Sequence, residues 1–313
     1  MSAAIVYSAR YHVDIGPHVF PTRKYPLVHA RLAGDGSRTP GEARPVPYEF
    51  VEPRAASWDE LALVHTADYL TKLRTGTMSP EDVAQLELPW SVEMVEAFRT
   101  MVGGTVQAAL TACGLEGRSA KAEGRSVVVC HIGGGLHHAF PNHGEGFCPF
   151  NDVAVAVRVL QSRGVERAAI VDLDVHHGNG TAFIFESDPR VFTFSMHQQH
   201  NYPMWKPRGS LDVGLPDGTR DATYLAELER ALPLVCASGP ECVFYLAGAD
   251  PYEDDQLGGL RMTKEGLRQR DRMVIDAVQH AGVPLVVVLA GGYARRVEDT
   301  VAIHVATIEE AVA

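Results

Sequence analysis

Ala168-Ala-Ile-Val-Asp-Leu-Asp-Val-His-His-Gly-Asn-Gly180 is a short apolar run that passes without a break into acids, histidines and glycines. Ala168–Val171 is too short for a helix and too continuously apolar for a half-exposed strand. It reads as a strand covered on both faces. Similar runs recur at Ala4–Tyr7, Ser126–Cys130, Val191–Phe194, Cys242–Leu246 and Pro284–Leu289. Helical patterns lie between them. Ser57-Trp-Asp-Glu60 is a capping box ahead of Leu61–His65, and Ser91 is placed to cap a long segment reaching Ala112. Asn151–Gln161, Asp221–Cys236, Thr263–Ala281 and Val297–Ala311 are further candidates. The alternation predicts an α/β fold: a single-domain open parallel sheet over residues 1–313, with helices on both faces. Gly34–Pro53, with several Gly and Pro residues, reads as a long surface loop.

Composition narrows the function classes. The chain has 313 residues, 46% hydrophobic and 21% charged, with a net charge of -11. An acidic chain lacks the basic footprint that nucleic-acid binding needs. No apolar run reaches the roughly 18–20 residues of a membrane span, and no signal peptide is visible at Met1–Arg10. The five cysteines form no CxxC pair, which suggests reduced thiols in a cytoplasm. No oligomeric state follows from these features.

The polar residues of interest follow the predicted strands. His131–His138 follows Cys130, Asp172–His177 follows Val171, Ser195–His197 follows Phe194, Gly248–Asp250 follows Leu246, and Gly291–Tyr293 follows Leu289. Ligands of open α/β sheets bind outside the carboxyl ends of strands. In extended chain, residues i and i+2 face the same way. Asp174 and His176 therefore offer an oxygen and a nitrogen to one cation, with Asp250 the natural third ligand and Asp172 free to support them. That donor set suits Zn²⁺ with an open position, and Fe²⁺, Co²⁺ or Mn²⁺ also fit it. His137 and His138, after a glycine turn, are candidates for proton transfer. Tyr293 is a candidate donor to an oxyanion, Phe147 a pocket wall, and Arg23 a buried anion-handling group. Glu253-Asp-Asp255 reads as a solvated acidic loop.

Together these segments resemble the zinc-dependent histone deacetylase and acetylpolyamine amidohydrolase superfamily. The resemblance runs from Ile5 to about Val305 and rests on Gly-Gly-Leu-His137-His138-Ala, Gly146-Phe-Cys, Asp172–Gly180, Gly248-Ala-Asp250 and Gly-Gly-Tyr293. Asp250–Leu260 and Leu88-Pro-Trp90 look most like the class IV branch and its bacterial relatives. The resemblance implies the arginase–deacetylase fold, Zn²⁺ on Asp174, His176 and Asp250, and an activity that removes acetyl or longer acyl groups from lysine side chains. It implies His138 as general base and acid, His137 as its electrostatic partner, Asp172 orienting His137, and Tyr293 on the scissile carbonyl. Phe147 would line the acyl-lysine tunnel, Gly146 would offer its carbonyl to the substrate amide, and Arg23 would stand near a product-acetate channel. A structural K⁺ would rest on carbonyls of Asp172, Asp174, His176, Ser195 and Met196.

Three departures bear on substrate. Asn179 stands where class I members carry an Asp behind the second histidine. The Tyr-Asp loop that grips a peptide backbone is replaced near Leu88–Trp90. Leu257 occupies the position of an acidic gatekeeper in polyamine-type members, which disfavours a cationic tail. With the missing loop it suggests an apolar rim and the expectation that acyl groups longer than acetyl are processed at least as well as acetyl. The expected substrate is thus an acylated lysine in a protein or peptide. The alternatives are a small acylated amine, or no turnover at all in a protein that only binds acyl-lysine. Turnover of an acetyl-lysine peptide against N-acetylputrescine separates the three.

Overall fold

The computed structural model describes residues 3–34, 48–116 and 127–313. Among them, one eight-stranded sheet runs in the order β2-β1-β3-β8-β7-β4-β5-β6. Its strands are β1 (Ala3–Val6), β2 (Tyr48–Val51), β3 (Val128–His131), β4 (Ala168–Asp172), β5 (Val191–Gln198), β6 (Leu211–Leu215), β7 (Cys242–Leu246) and β8 (Leu285–Val288). Every ladder is parallel. Each residue of β4, β7 and β8 is buried, as continuous apolar runs require. The helices are α1 (Lys24–Ala33), α2 (Trp58–Leu61), α3 (Ala67–Thr75), α4 (Pro80–Leu86), α5 (Val92–Ala112), α6 (Asp152–Ser162), α7 (Asn179–Phe185), α8 (Asp221–Ala237), α9 (Lys264–His280) and α10 (Val297–Val312). One group packs α5 on α6; in the other, α9 lies against both α8 and α10, and α1 against α10.

The six predicted strands are present, with two differences. β5 continues to Gln198, so Ser195, Met196 and His197 lie inside a strand instead of following one. The edge strands β2 and β6 carry no continuous apolar run. β6 alternates half-buried with exposed positions, and β2 sits inside the predicted Gly34–Pro53 loop. The 35–47 part of that loop, and Ser126, lie outside the described residues. No helix among the described residues is long and apolar enough to cross a membrane.

The strand order positions the site. From β3 the chain passes to β4, three places along the sheet, and β7 and β8 later fill the gap. The carboxyl ends of β3, β8, β7 and β4 are therefore neighbours, at a topological switch point. The segments after them carry His137 and His138, Tyr293, Asp250, and Asp174 with His176.

Two buried histidines brace this rim. Thr105 Oγ1 donates to Asp152 Oδ2 at 2.6 Å, so it accepts from His131 Nδ1 at 3.0 Å, and His131 Nε2 accepts from Tyr11 Oη at 2.8 Å. Asp152 also accepts the Gly135 and Leu136 N–H groups, which pins the glycine turn ahead of His137. His65 Nε2 accepts the Asn151 N–H at 3.1 Å and its Nδ1 donates to the Phe140 carbonyl at 3.0 Å. Burial holds His65 down at about 4 and His131 at about 3. Both fold as neutral rings, while in the unfolded chain each takes a proton below about 6.5. The unfolded state then binds more protons, so this contribution to stability is present above about pH 6.5 and is lost as pH falls towards 4. Urea unfolding midpoints of His65→Asn should accordingly vary less between pH 7 and 5 than those of the parent. An identical pH slope would exclude His65 as a source of acid sensitivity.

Candidate active site

β4 ends at Asp172, and the extended chain beyond it turns Asp174 and His176 towards Asp250 at the end of β7. His176 Nδ1 lies 3.0 Å from Asp174 Oδ1 and 3.6 Å from Asp250 Oδ2. One donor atom from each of the three residues falls within 4.8 Å of the others. Asp250 is wholly buried. Its Oδ1 accepts the Val175 N–H, while Oδ2 has no hydrogen-bond partner. Asp174 Oδ2 accepts the Gly291 N–H at 2.7 Å. A Cβ at Gly291 would overlap both carboxylates, so only glycine closes the floor of the site. Burial and the Asp174 charge push Asp250 up to about 7. Burial opposes charge on His176, but Asp174 and Asp250 outweigh it and hold that ring at about 10. Two buried carboxylates with an orphaned oxygen, joined by one imidazole, form a donor set that fits a divalent cation.

The tandem histidines sit on the loop after β3. His137 Nδ1 is 2.6 Å from Asp172 Oδ2, and the two Nε2 atoms of His137 and His138 are 3.1 Å apart. His138 Nδ1 is 2.7 Å from Asn179 Oδ1. An amide oxygen only accepts, so His138 carries its proton on Nδ1 and leaves Nε2 as an acceptor. His137 must then donate from both nitrogens, to Asp172 and to His138, and is an imidazolium. Burial works against that charge, and the Asp172 and Asp174 carboxylates override it, holding His137 at about 9. His138 is held well below its ordinary value by burial first and the neighbouring His137 and His176 second. Asn179 is the first residue of α7, and that helix start turns its side chain back onto His138.

A cavity of about 180 Å³ leads to these groups, walled by Phe147, Tyr202, Tyr293, Gly146 and Leu257. Phe147 has φ of 65° and Gly146 φ of 52°. A left-handed phenylalanine is strained, and here the strain sets its ring 6.0 Å from that of Tyr293. A Cβ on Gly146 would run into His138 Cδ2 at 2.6 Å. Past the histidines lies a narrower chamber of about 20 Å³, lined by Leu136, Cys148, Tyr25 and Ala290.

Three sequence readings change here. Arg23 is exposed and lines a separate open cleft of about 650 Å³ with residues 12–22. The buried cation is its neighbour Lys24, 1% exposed, with Nζ donating to the Ala290 carbonyl at 2.7 Å. Burial lowers its pKa to about 8, against the pull of Asp250 and Asp174. Asp255 is buried, not solvated. Its Oδ2 accepts the Tyr293 N–H at 2.7 Å and its Oδ1 the N–H groups of Leu257 and Gly258, so it shapes the tunnel wall. Leu88–Trp90 turns inwards: Leu88 is buried and the Trp90 indole donates to the Leu73 carbonyl. The rim residue is Glu87, in left-handed backbone at the end of α4. Tyr202, at the opposite wall, belongs to no motif. Its ring packs edge-on to His138 at 5.0 Å.

These features have counterparts among known proteins. The histone deacetylase domain model matches residues 18–308. An uncharacterized protein of Picosynechococcus sp. is 42% identical over 307 residues, covering 97% of this chain and 96% of that protein. Histone deacetylase 2 of Arabidopsis thaliana is 30% identical over 317 residues, covering 95% of this chain and 77% of that enzyme. The crystal structure of the HDA15 HD domain superposes with a TM-score of 0.76 at 26% identity, covering 98% of this chain and 90% of that one. With sheet order, buried Asp–His–Asp cluster and family match in agreement, the chain belongs to the histone deacetylase family, has the arginase–deacetylase fold, and is a deacetylase-type amidohydrolase.

Proposed function

We propose that this chain hydrolyses the side-chain amide of acetylated lysine, with Zn²⁺ on Asp174, His176 and Asp250. The observation that carries the reading is the narrow tunnel lined at once by His138, Tyr293 and His176, the last a member of the buried Asp–His–Asp cluster. Zn²⁺ bound there would polarise the amide carbonyl and lower the pKa of water. The apolar walls Phe147, Tyr202 and Leu257 take the four-carbon lysine stem, and the Gly146 carbonyl faces the substrate amide. His138, held neutral, accepts the proton of the attacking water at Nε2 once that water replaces His137 as the donor to this nitrogen. The Tyr293 hydroxyl donates to the oxyanion. His137, an imidazolium held by Asp172, stabilises the developing negative charge and supports return of a proton to the leaving amine. Lys24 offers its ammonium to the product carboxylate. K⁺ belongs to the same proposal, against Asp172, Asp174, His176, Ser195 and Met196, and the β4–β5 register sets Asp172 opposite Ser195. Within the family we assign the chain to the class IV-like branch, on Asp250–Leu260.

The inner chamber has about the room of one water, which favours the acetyl end of the acyl range. The rim carboxylate of Glu87 supports a second reading, a small acylated diamine whose free ammonium would pair with it. A panel separates them: kcat/KM should fall from acetyl- to butyryl- to octanoyl-lysine peptides, and N-acetylputrescine should trail acetyl-lysine. Octanoyl-lysine outperforming acetyl-lysine would sink the acetyl reading. N-acetylputrescine leading, with KM raised selectively in Glu87→Gln, would replace it with the diamine.

A further inference from the structure

The hydrogen on His138 Nδ1 depends on which end of the Asn179 amide faces it, and an amide can present either end. Asn179 Nδ2 lies 2.7 Å from Glu145 Oε1. An ionised carboxylate only accepts, and Glu145 is held below its usual value: burial works against this, and hydrogen bonds from His143, Asn179, Tyr202 and Gln85 override it. The amide must therefore turn its NH₂ to Glu145 and its oxygen to His138. The same Oε1 accepts the Tyr202 hydroxyl at 2.9 Å. His143 Nε2 stands 3.4 Å from Oε2, and Gln85 Nε2 donates to Oε2 at 3.4 Å. One carboxylate thus ties the tunnel wall to the residue behind the base.

We propose that Glu145 is a positioning residue for His138. By orienting the Asn179 amide it selects the Nδ1–H tautomer and leaves Nε2 as the proton-accepting nitrogen. This rests on His138 being the base. The alternative orientation would aim Nδ2 at His138 Nδ1, strip that nitrogen of its proton and move the hydrogen to Nε2, where it cannot accept another. The arrangement also explains how a neutral asparagine serves here: the acidic group stands one residue further out, and the amide passes on its direction without its full charge.

A second consequence separates this role from a merely structural one. An aspartate at 179 has no wrong end, so it needs no orienting partner. Beside Glu145, however, it would set two carboxylates about 2.7 Å apart, where like charges oppose joint ionisation. Asn179→Asp alone should therefore be impaired, and Glu145→Ala alone impaired, while the double variant recovers much of the loss.

The test uses Zn²⁺-loaded full chain with ¹⁵N-labelled histidine, the His138 signals being assigned with His138→Gln. The parent should show Nδ1 protonated and Nε2 bare. Glu145→Ala should show mixed tautomers and a kcat about 10–100-fold lower, as loss of an outer orienting partner costs elsewhere, with KM little changed. Glu145→Gln, which still offers Asn179 an oxygen, should fall between. Tyr202→Phe should leave the tautomer alone. Glu145→Ala with the parental tautomer overturns the proposal, as does a double variant worse than both singles. If Glu145→Ala does not fold, Glu145→Gln and Asn179→Asp/Glu145→Gln carry the same comparison. Full activity of His138→Gln would instead remove the base assignment, leaving the tautomer measurement to judge Glu145.

Discussion

Asp250→Asn should fail to retain Zn²⁺ through dialysis, show no amide hydrolysis, and lose the thermal response to the metal, although the new side chain has the same shape. The reason is the electrostatics of a site with no water to spread charge. Asp250 is fully buried, its Oδ2 has no protein partner, and Asp174 stands across His176 from it. A cation bound only by the folded chain adds stability as RT ln(1 + [L]/Kd), about 2.7 kcal/mol at a hundredfold excess over Kd. The parent should therefore melt higher with Zn²⁺ than with chelator. Asp250→Asn loses one carboxylate ligand but also one of two mutually repelling buried charges. In chelator it should melt at or above the parent, and added Zn²⁺ should move it little. Retention of Zn²⁺ and activity by Asp250→Asn, or a parent whose melting ignores chelator, would show that the ligand set is wrong.

The rim of the sheet was readable because parallel strands buried on both faces leave continuous apolar runs, and each run ends where its polar residues begin. Asp174, His176, Asp250, His137, His138 and Tyr293 all follow such runs. The edge strands were not readable. Leu211-Asp-Val-Gly-Leu215 faces solvent on one side and so resembles a loop. Choosing between Arg23 and Lys24 needed the helix register: Lys24 shares a buried face with Tyr25, Val28 and Leu32, at helical spacing. That signal stood in the sequence, whereas a helix beginning after Pro21 set no firm boundary. Glu145, Glu87 and Asp255 lie deeper than sequence reading reaches. Their roles rest on partners 34 to 57 positions away for Glu145, on a left-handed turn for Glu87, and on the Tyr293 amide for Asp255. A carboxylate beside a glycine carries no mark that distinguishes a solvated acid from one clamped by a distant asparagine and tyrosine.

Tyr293→Phe should lower kcat by about 10²–10³, the cost of removing one oxyanion donor, while KM and melting temperature stay close to those of the parent. The ring is held independently of its hydroxyl. It lies 6.0 Å from Phe147 and 6.4 Å from both Phe20 and His176, and its backbone N–H is fixed by Asp255. Phenylalanine keeps every one of those contacts. The hydroxyl itself stays protonated, because burial first and the Asp174 and Asp250 charges second push its pKa well above the ordinary tyrosine value. It can therefore donate, but cannot serve as a base. Its partner is an oxyanion that exists only near the transition state, so its loss falls on kcat and not on ground-state binding. Asp255→Asn, which weakens the anchor and leaves the hydroxyl, should cost less, about tenfold. A Tyr293→Phe kcat within about threefold of the parent, with chemistry rate-limiting, would take the phenol out of the reaction and leave Tyr293 as a tunnel wall.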